Sequence, residues 1–227
     1  MKRLFSKPEP AWLIAAIISA ALLIGAIFLP LWSMELMAPQ YPAGLTMYAY
    51  GDHFQGETAG YYENFDAVKE INALNHYIGM KPLKEVTEMT LFIPGVLLTI
   101  ATLILVSFIS WYRRWFRSLA IIGAWSLPLF FVIDLQYWLY NYGHTMDPDA
   151  ALDAGDITPK VWGTTEVWNF HSVNRFEIGF LLMVLSALTI TFLPPAIRLI
   201  QARRARAASA VTESVNTGAT PVQGKLA

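Results

Sequence analysis

The chain contains no cysteine, so disulfides, zinc–thiolate centres and iron–sulfur clusters are excluded. It is also short of charge. Only 15% of its 227 residues are Asp, Glu, Lys or Arg, against about 25% in an average soluble domain. The H-E-x-x-H pair of metalloproteases, the phosphate-binding loop and the G-x-S-x-G nucleophile elbow are all missing. No enzyme class is therefore indicated. A formal net charge of −1, with no basic face interleaved with aromatics, gives no sign of a nucleic-acid partner. Internal repeats of the kind that build transporters are not discernible.

What the chain has instead is length without charge. Four stretches, residues 12–32, 89–112, 118–141 and 176–197, are apolar over about 20 residues, enough for a helix to cross a bilayer core of roughly 30 Å. Lipid cannot pair with free backbone amides, so such stretches are expected to be helices. Trp12 and Trp32 bracket the first, and Tyr137, Trp138, Tyr140 and Tyr142 crown the third, as aromatic belts do. The first stretch is longer than the apolar core of a signal peptide and is read as a retained anchor. The expected fold class is an all-α integral membrane protein: a four-helix transmembrane bundle with two extracytoplasmic loops containing a short helix and short strands.

Orientation follows from the basic residues. Lys2, Arg3 and Lys7 precede the first stretch. Arg113, Arg114 and Arg117 fill the turn at 113–117, and Arg198, Arg203, Arg204 and Arg206 follow the fourth. Positive residues stay on the cytoplasmic side, which places segments 1–11 and 198–227 there. The Ala-, Ser- and Thr-rich tail after Arg206 is expected to be disordered. Loops 33–88 and 142–175 then face outward, the second carrying Asp147, Asp149, Asp153 and Asp156. In a bacterium this is a multi-pass protein of the inner membrane, with the bilayer as its first partner.

In the first outer loop, Leu45 to Tyr50 alternates as a strand does. Asp66 to Ile78 reads as a helix capped by Asp66 and ended by Gly79. All four histidines, His53, His76, His144 and His171, fall in the outer loops, among Met34, Met37, Met47, Met80 and Met146. Imidazole with thioether suits copper, and thioether favours Cu(I). Candidate ligands are His76, Met80, His144 and Met146, with His53 and His171 as helpers. The plain alternative is ordinary loop histidines and interfacial methionines, Met34 and Met37 among them. Asp134 is the one acid set well inside an apolar stretch, where a charge is expensive; Glu177 lies at the outer edge of the fourth. Arg175 is the expected counter-ion of Asp134, in a tie between helices; a proton or ion relay, or an outer metal ligand, is the functional alternative.

Three segments, Tyr41-Pro-Ala-Gly44, Ile71-Asn-Ala-Leu-Asn-His-Tyr-Ile-Gly-Met80 and Tyr137-Trp-Leu-Tyr-Asn-Tyr-Gly-His-Thr-Met-Asp-Pro148, resemble a group of bacterial multi-span membrane proteins associated with accessory genes for periplasmic copper enzymes such as nitrous oxide reductase. The resemblance implies copper-enzyme assembly or copper delivery, and assigns no role to individual residues. The competing expectation is a non-catalytic structural subunit docking a membrane or extracytoplasmic protein through Tyr48, Tyr50, Tyr61, Tyr62, Trp162 and Trp168.

Overall fold

The computed structural model describes residues 9–57, 66–83, 92–108, 113–147, 149–151, 155–167 and 169–218. Among them are five helices and five strands. In chain order they are α1 (Pro10–Ile27), β1 (Trp32–Ala38), β2 (Tyr41–Ala49), β3 (Phe54–Gly56), α2 (Ala67–Tyr77), α3 (Phe92–Phe108), α4 (Arg113–His144), β4 (Gly163–Val167), β5 (Phe170–Phe176) and α5 (Ile178–Gly218).

The helical layer is built on α1 and α5. Helix α1 buries Trp12, Ala15, Ala16, Ser19, Leu23 and Ala26, a stripe recurring every three or four residues. Most of these side chains are small, and small residues let helix backbones approach closely in lipid. Met183, Ser186, Ala187 and Ile190 of α5 are fully buried in the same region. The opposite face of α1 leaves Ile14, Ile17, Ile18 and Ile24 exposed, a surface fit for hydrocarbon. Helices α3 and α4 complete the layer, α3 against α1 and α4. The hydroxyls of Thr99 and Ser107 in α3 donate to the carbonyls of Gly95 and Leu103 one turn back, so neither is left unpaired in an apolar setting.

Three helices are long and apolar enough to cross a membrane: Pro10–Ile27, Trp115–His144 and Ile178–Glu213. Phe92–Phe108 is apolar but shorter. The chain is on this ground a membrane protein.

The expectation of an all-α four-helix bundle is corrected on two counts. Three helices, not four, reach spanning length among the described residues. The outer segments also form an antiparallel five-stranded sheet in the order β3-β2-β1-β5-β4. The sheet begins just past Pro30, which disfavours helical backbone at the residue before it. Helix α1 stops at Ile27 with Phe28 as its C-cap, and the residues read as the end of the first apolar stretch enter β1. Trp32 pairs with Ala49 on one side and Phe176 on the other.

Helix α5 also departs from expectation. It continues through Gly218, with residues 198–213 exposed, where a disordered tail was expected. Ala and Arg, both strong helix formers, dominate this extension. Residues 219–227 lie outside the described set.

The sheet stands directly on the helices. The backbone amides of Leu31, Glu177 and Gly179 donate to the carbonyls of Ala49, Leu31 and Pro30, locking the strand ends to the tops of α1 and α5. The Trp32 indole donates to the Val161 carbonyl at 2.6 Å. Alternation then sorts the side chains. Met34, Leu36, Leu45, Met47 and Phe54 face the core, whereas Glu35, Tyr48, Val173 and Arg175 face away. Helix α2 covers the inner face beside β2 and β3. It packs so closely that a Cβ at Gly56 would lie 2.7 Å from the Val68 amide nitrogen. The 32-residue α4 is roughly 48 Å long at 1.5 Å per residue. It exceeds a bilayer core, and its last turns rise beneath the sheet.

Candidate functional site

Two adjoining cavities of about 100 Å³ and about 40 Å³ lie between the inner face of the sheet, α2 and the upper end of α4. They share Met34, Leu83, Leu139 and Tyr142 in their walls. Each wall is held by an identifiable bond. Met34 and Met47 are direct partners across β1 and β2. Met80 is placed by the end of α2, where Gly79 takes φ +81° and the Met80 amide donates to the Asn75 carbonyl at 2.7 Å. This is a Schellman ending, and glycine adopts its left-handed backbone without strain. Asp66 caps the other end of α2, accepting from the Val68 amide. The Leu83 amide donates to the Asn72 side chain at 2.8 Å, and the Tyr142 hydroxyl to the Pro82 carbonyl at 3.1 Å.

The segment after α4 is docked onto that same turn. The Asp147 amide donates to the Gly79 carbonyl at 2.9 Å, and a Cβ at Gly79 would meet Asp147 and Ala150 at about 3 Å. His76 and Met80 on one side, and His144 and Met146 on the other, therefore flank a single contact. Their donor groups, however, diverge. His76 is exposed, and Met80 turns inward to the larger cavity. The His144 ring stacks on Tyr140 at 3.9 Å, its Nδ1 2.8 Å from the Tyr140 carbonyl oxygen. His53 lies on the β2–β3 turn, stacked on Tyr50, with Nδ1 2.6 Å from Asp52. His171 lies on the outer face, 3.6 Å from Glu166. The structure thus brings two of the four histidine-bearing segments together and leaves His53 and His171 elsewhere. Among the described residues, no three His, Asp or Glu side chains come together as a metal-binding group.

Asp134 borders the smaller cavity with Trp32, Met34 and Met47. Arg175 pairs instead with Glu35, at 3.5 Å, and the alternation of β5 puts it on the opposite face of the sheet. The expected Asp134–Arg175 tie is replaced by this cross-strand pair.

Met34 and Met47 are the site residues that local sequence reading missed as a pair. Their signal was the alternation Met34–Leu36 matched to Leu45–Met47, which has meaning only once the two strands are paired.

The outer face and the distal tip have their own electrostatics. Burial raises the Tyr48 hydroxyl above its usual pKa, and the carboxylates of Glu57, Glu177 and Glu35 add to the shift. Tyr41 donates its hydroxyl to Glu70, and this bond, with burial and the Glu70 charge, raises the Tyr41 pKa. Trp162 is 70% exposed. Tyr61, Tyr62 and Trp168 lie outside the described residues, as do Lys2, Arg3, Lys7 and Asp153.

No protein-family model and no curated protein sequence matches this chain.

Proposed function

We propose that this chain is a non-catalytic accessory membrane protein that holds copper for an extracytoplasmic copper enzyme during its assembly. The observation that carries the reading is the Asp147–Gly79 backbone bond. It joins two outer segments, each bearing one imidazole and one thioether, in a chain without a single thiol. Imidazole and thioether are suitable donors for copper and poor ones for Mg²⁺ or Ca²⁺. Copper is cargo here, and His76 and His144 at the rim are the groups through which it is exchanged. His53 and His171 have no part in this version of the site. The resemblance of the same segments to accessory proteins of copper enzymes points the same way. In this reading the basic ends of the helices lie in the cytoplasm and the sheet faces the periplasm.

The test is retention of Cu(I) by the detergent-purified full chain against a chelator of known affinity. One retained equivalent supports the reading. Copper drawn wholly into the chelator, at every protein concentration tried, removes it.

A second reading is favoured by the outer face of the sheet, where strand register places Glu35, Tyr48, Val173 and Arg175 together and Arg175 is exposed. It makes the chain a structural or anchoring subunit docked through that face. Arg175→Glu would then release a copurifying partner, an outcome the copper reading does not require.

A further inference from the structure

Resting on the copper reading, the geometry points to a partly buried thioether site, formed by Met34, Met47 and Met80, as the place where a Cu(I) ion is held. Met34 and Met47 stand side by side on the inner face of the sheet by their pairing across β1 and β2. Both border the smaller cavity. Met34 and Met80 border the larger one, so Met34 belongs to both. Met47 is almost completely buried.

Two physical arguments favour a site over mere packing. Methionine in a core ordinarily serves as a flexible filler that removes voids. Here each of the three methionines still borders a cavity, Met34 and Met80 the larger and Met34 and Met47 the smaller, although each side chain has the torsional freedom to fill space. The donor chemistry is also selective. Thioether sulfur is neutral and soft, which suits Cu(I), and no thiolate or imidazole stands among the described residues of the cavity walls to favour Cu(II). Burying a bare cation is costly unless an opposite charge is near. Asp134 borders the smaller cavity together with Met34 and Met47, so an acidic residue lines the same cavity as two of the thioethers. His76 and His144, near the surface on either side of the Gly79 turn that leads to Met80, are the exchange groups, and the three thioethers are the store.

The substitution that isolates this claim is leucine, which keeps volume and apolarity and costs less than about 1.5 kcal/mol at a core methionine. The full-length protein is purified as wild type, Met34→Leu/Met47→Leu/Met80→Leu, His76→Ala/His144→Ala, and Met37→Leu. The last changes a methionine on the outer face of the sheet. Each is loaded with Cu(I), competed against a chelator and examined by X-ray absorption at the copper edge. The expected result is a sulfur-dominated shell in the wild type and affinity lowered at least about tenfold in the triple variant. Wild-type affinity is expected in Met37→Leu. The histidine variant should keep its affinity and exchange copper more slowly. Unchanged affinity in the triple variant, with loss in the histidine variant, would overturn the thioether site and leave the copper reading standing. No retention by the wild type would overturn both. Should the triple variant misfold, Met34→Leu alone decides, because Met34 borders both cavities: unchanged affinity and an unchanged shell overturn the site.

Discussion

Ser19 of α1 and Ser186 of α5 face each other with their hydroxyl oxygens 2.6 Å apart, both fully buried. Ser19 Oγ lies 2.9 Å from the Ser186 carbonyl and Ser186 Oγ 3.1 Å from the Ser19 carbonyl. Two small polar residues in this relation allow close contact and satisfy each other within it. Ser19→Ala should cost only about 0.6–1 kcal/mol, since interhelical hydrogen bonds in lipid are modest. Ser19→Leu should cost about 1–3 kcal/mol, because the added carbons have no room against Ser186 and Ala187. Thermal unfolding in detergent checks the order. Equal effects of Ala and Leu would show that closeness at this point contributes nothing.

Gly143, one residue before the end of α4, lies under the segment that returns to β4. Its carbonyl accepts from the Ile157 amide at 2.9 Å, and an added Cβ would fall 1.6 Å from the Ile157 carbonyl oxygen. Gly143→Ala must therefore push the 155–161 segment away. The Trp32–Val161 bond and the contacts of Gln136 with Pro159 and Val161 should be lost with it. The expected cost is about 2–3 kcal/mol. New protease cleavage should appear near Lys160. A variant that melts and digests like the wild type would refute this packing.

These positions show what a linear reading could and could not supply. The apolar helices were legible because lipid demands length and lack of charge, both local properties. Helix α2 was legible for the same kind of reason: Asp66, Gly79 and the stripe of Ile71, Leu74 and Ile78 lie within one short segment. The sheet was not. The core-facing positions of β5 include Ser172 and Asn174, and the Asn174 side chain donates to the Lys160 carbonyl. No hydrophobic alternation marks that strand. β1 was hidden by its neighbour, since Trp32 reads as the aromatic end of an apolar helix. Its true partners, Ala49 and Phe176, are separated by 17 and 144 residues (49 − 32 and 176 − 32). The candidate site inherits this limit. Met80 announced itself beside a histidine, whereas Met34 and Met47 became a pair only through strand register.

At the opposite end of the helices, Glu9 binds Arg117 of α4 and Arg198 of α5 at once, while Arg117 lies 5.1 Å over the Trp12 ring. Burial raises the Glu9 carboxyl, but the two guanidiniums together outweigh it and leave its pKa below the ordinary value of 4.5. A lowered folded-state pKa means that the stabilisation is in force above about 4.5. It is lost as pH falls through the lowered value. Glu9→Gln should cost about 1.5–3 kcal/mol at neutral pH, the range for hydrogen bonds to charged groups. It should also flatten the loss of melting temperature below pH 4.5. An unchanged acid limb in Glu9→Gln would assign that limb to other carboxylates.

The absence of cysteine makes the orientation directly measurable, because any introduced thiol is the only one in the chain. Trp162 stands 70% exposed next to β4, and Arg204 is exposed on the extension of α5. Neither makes an ion pair or side-chain hydrogen bond among the described residues, so replacement at either should leave the fold intact. Helix α5 separates the two positions by more than a bilayer core: the 26 residues from Ile178 to Arg204 (204 − 178) span roughly 39 Å at 1.5 Å per residue. If the basic ends are cytoplasmic, a membrane-impermeant maleimide added to intact cells should label Trp162→Cys and spare Arg204→Cys until the membrane is opened. The reverse pattern would put the sheet in the cytoplasm, where no periplasmic enzyme could receive copper from it. Labelling of both sites in intact cells would mean that α5 does not cross the bilayer, and the apolar surface of α1 and α5 would then need a protein partner instead of lipid.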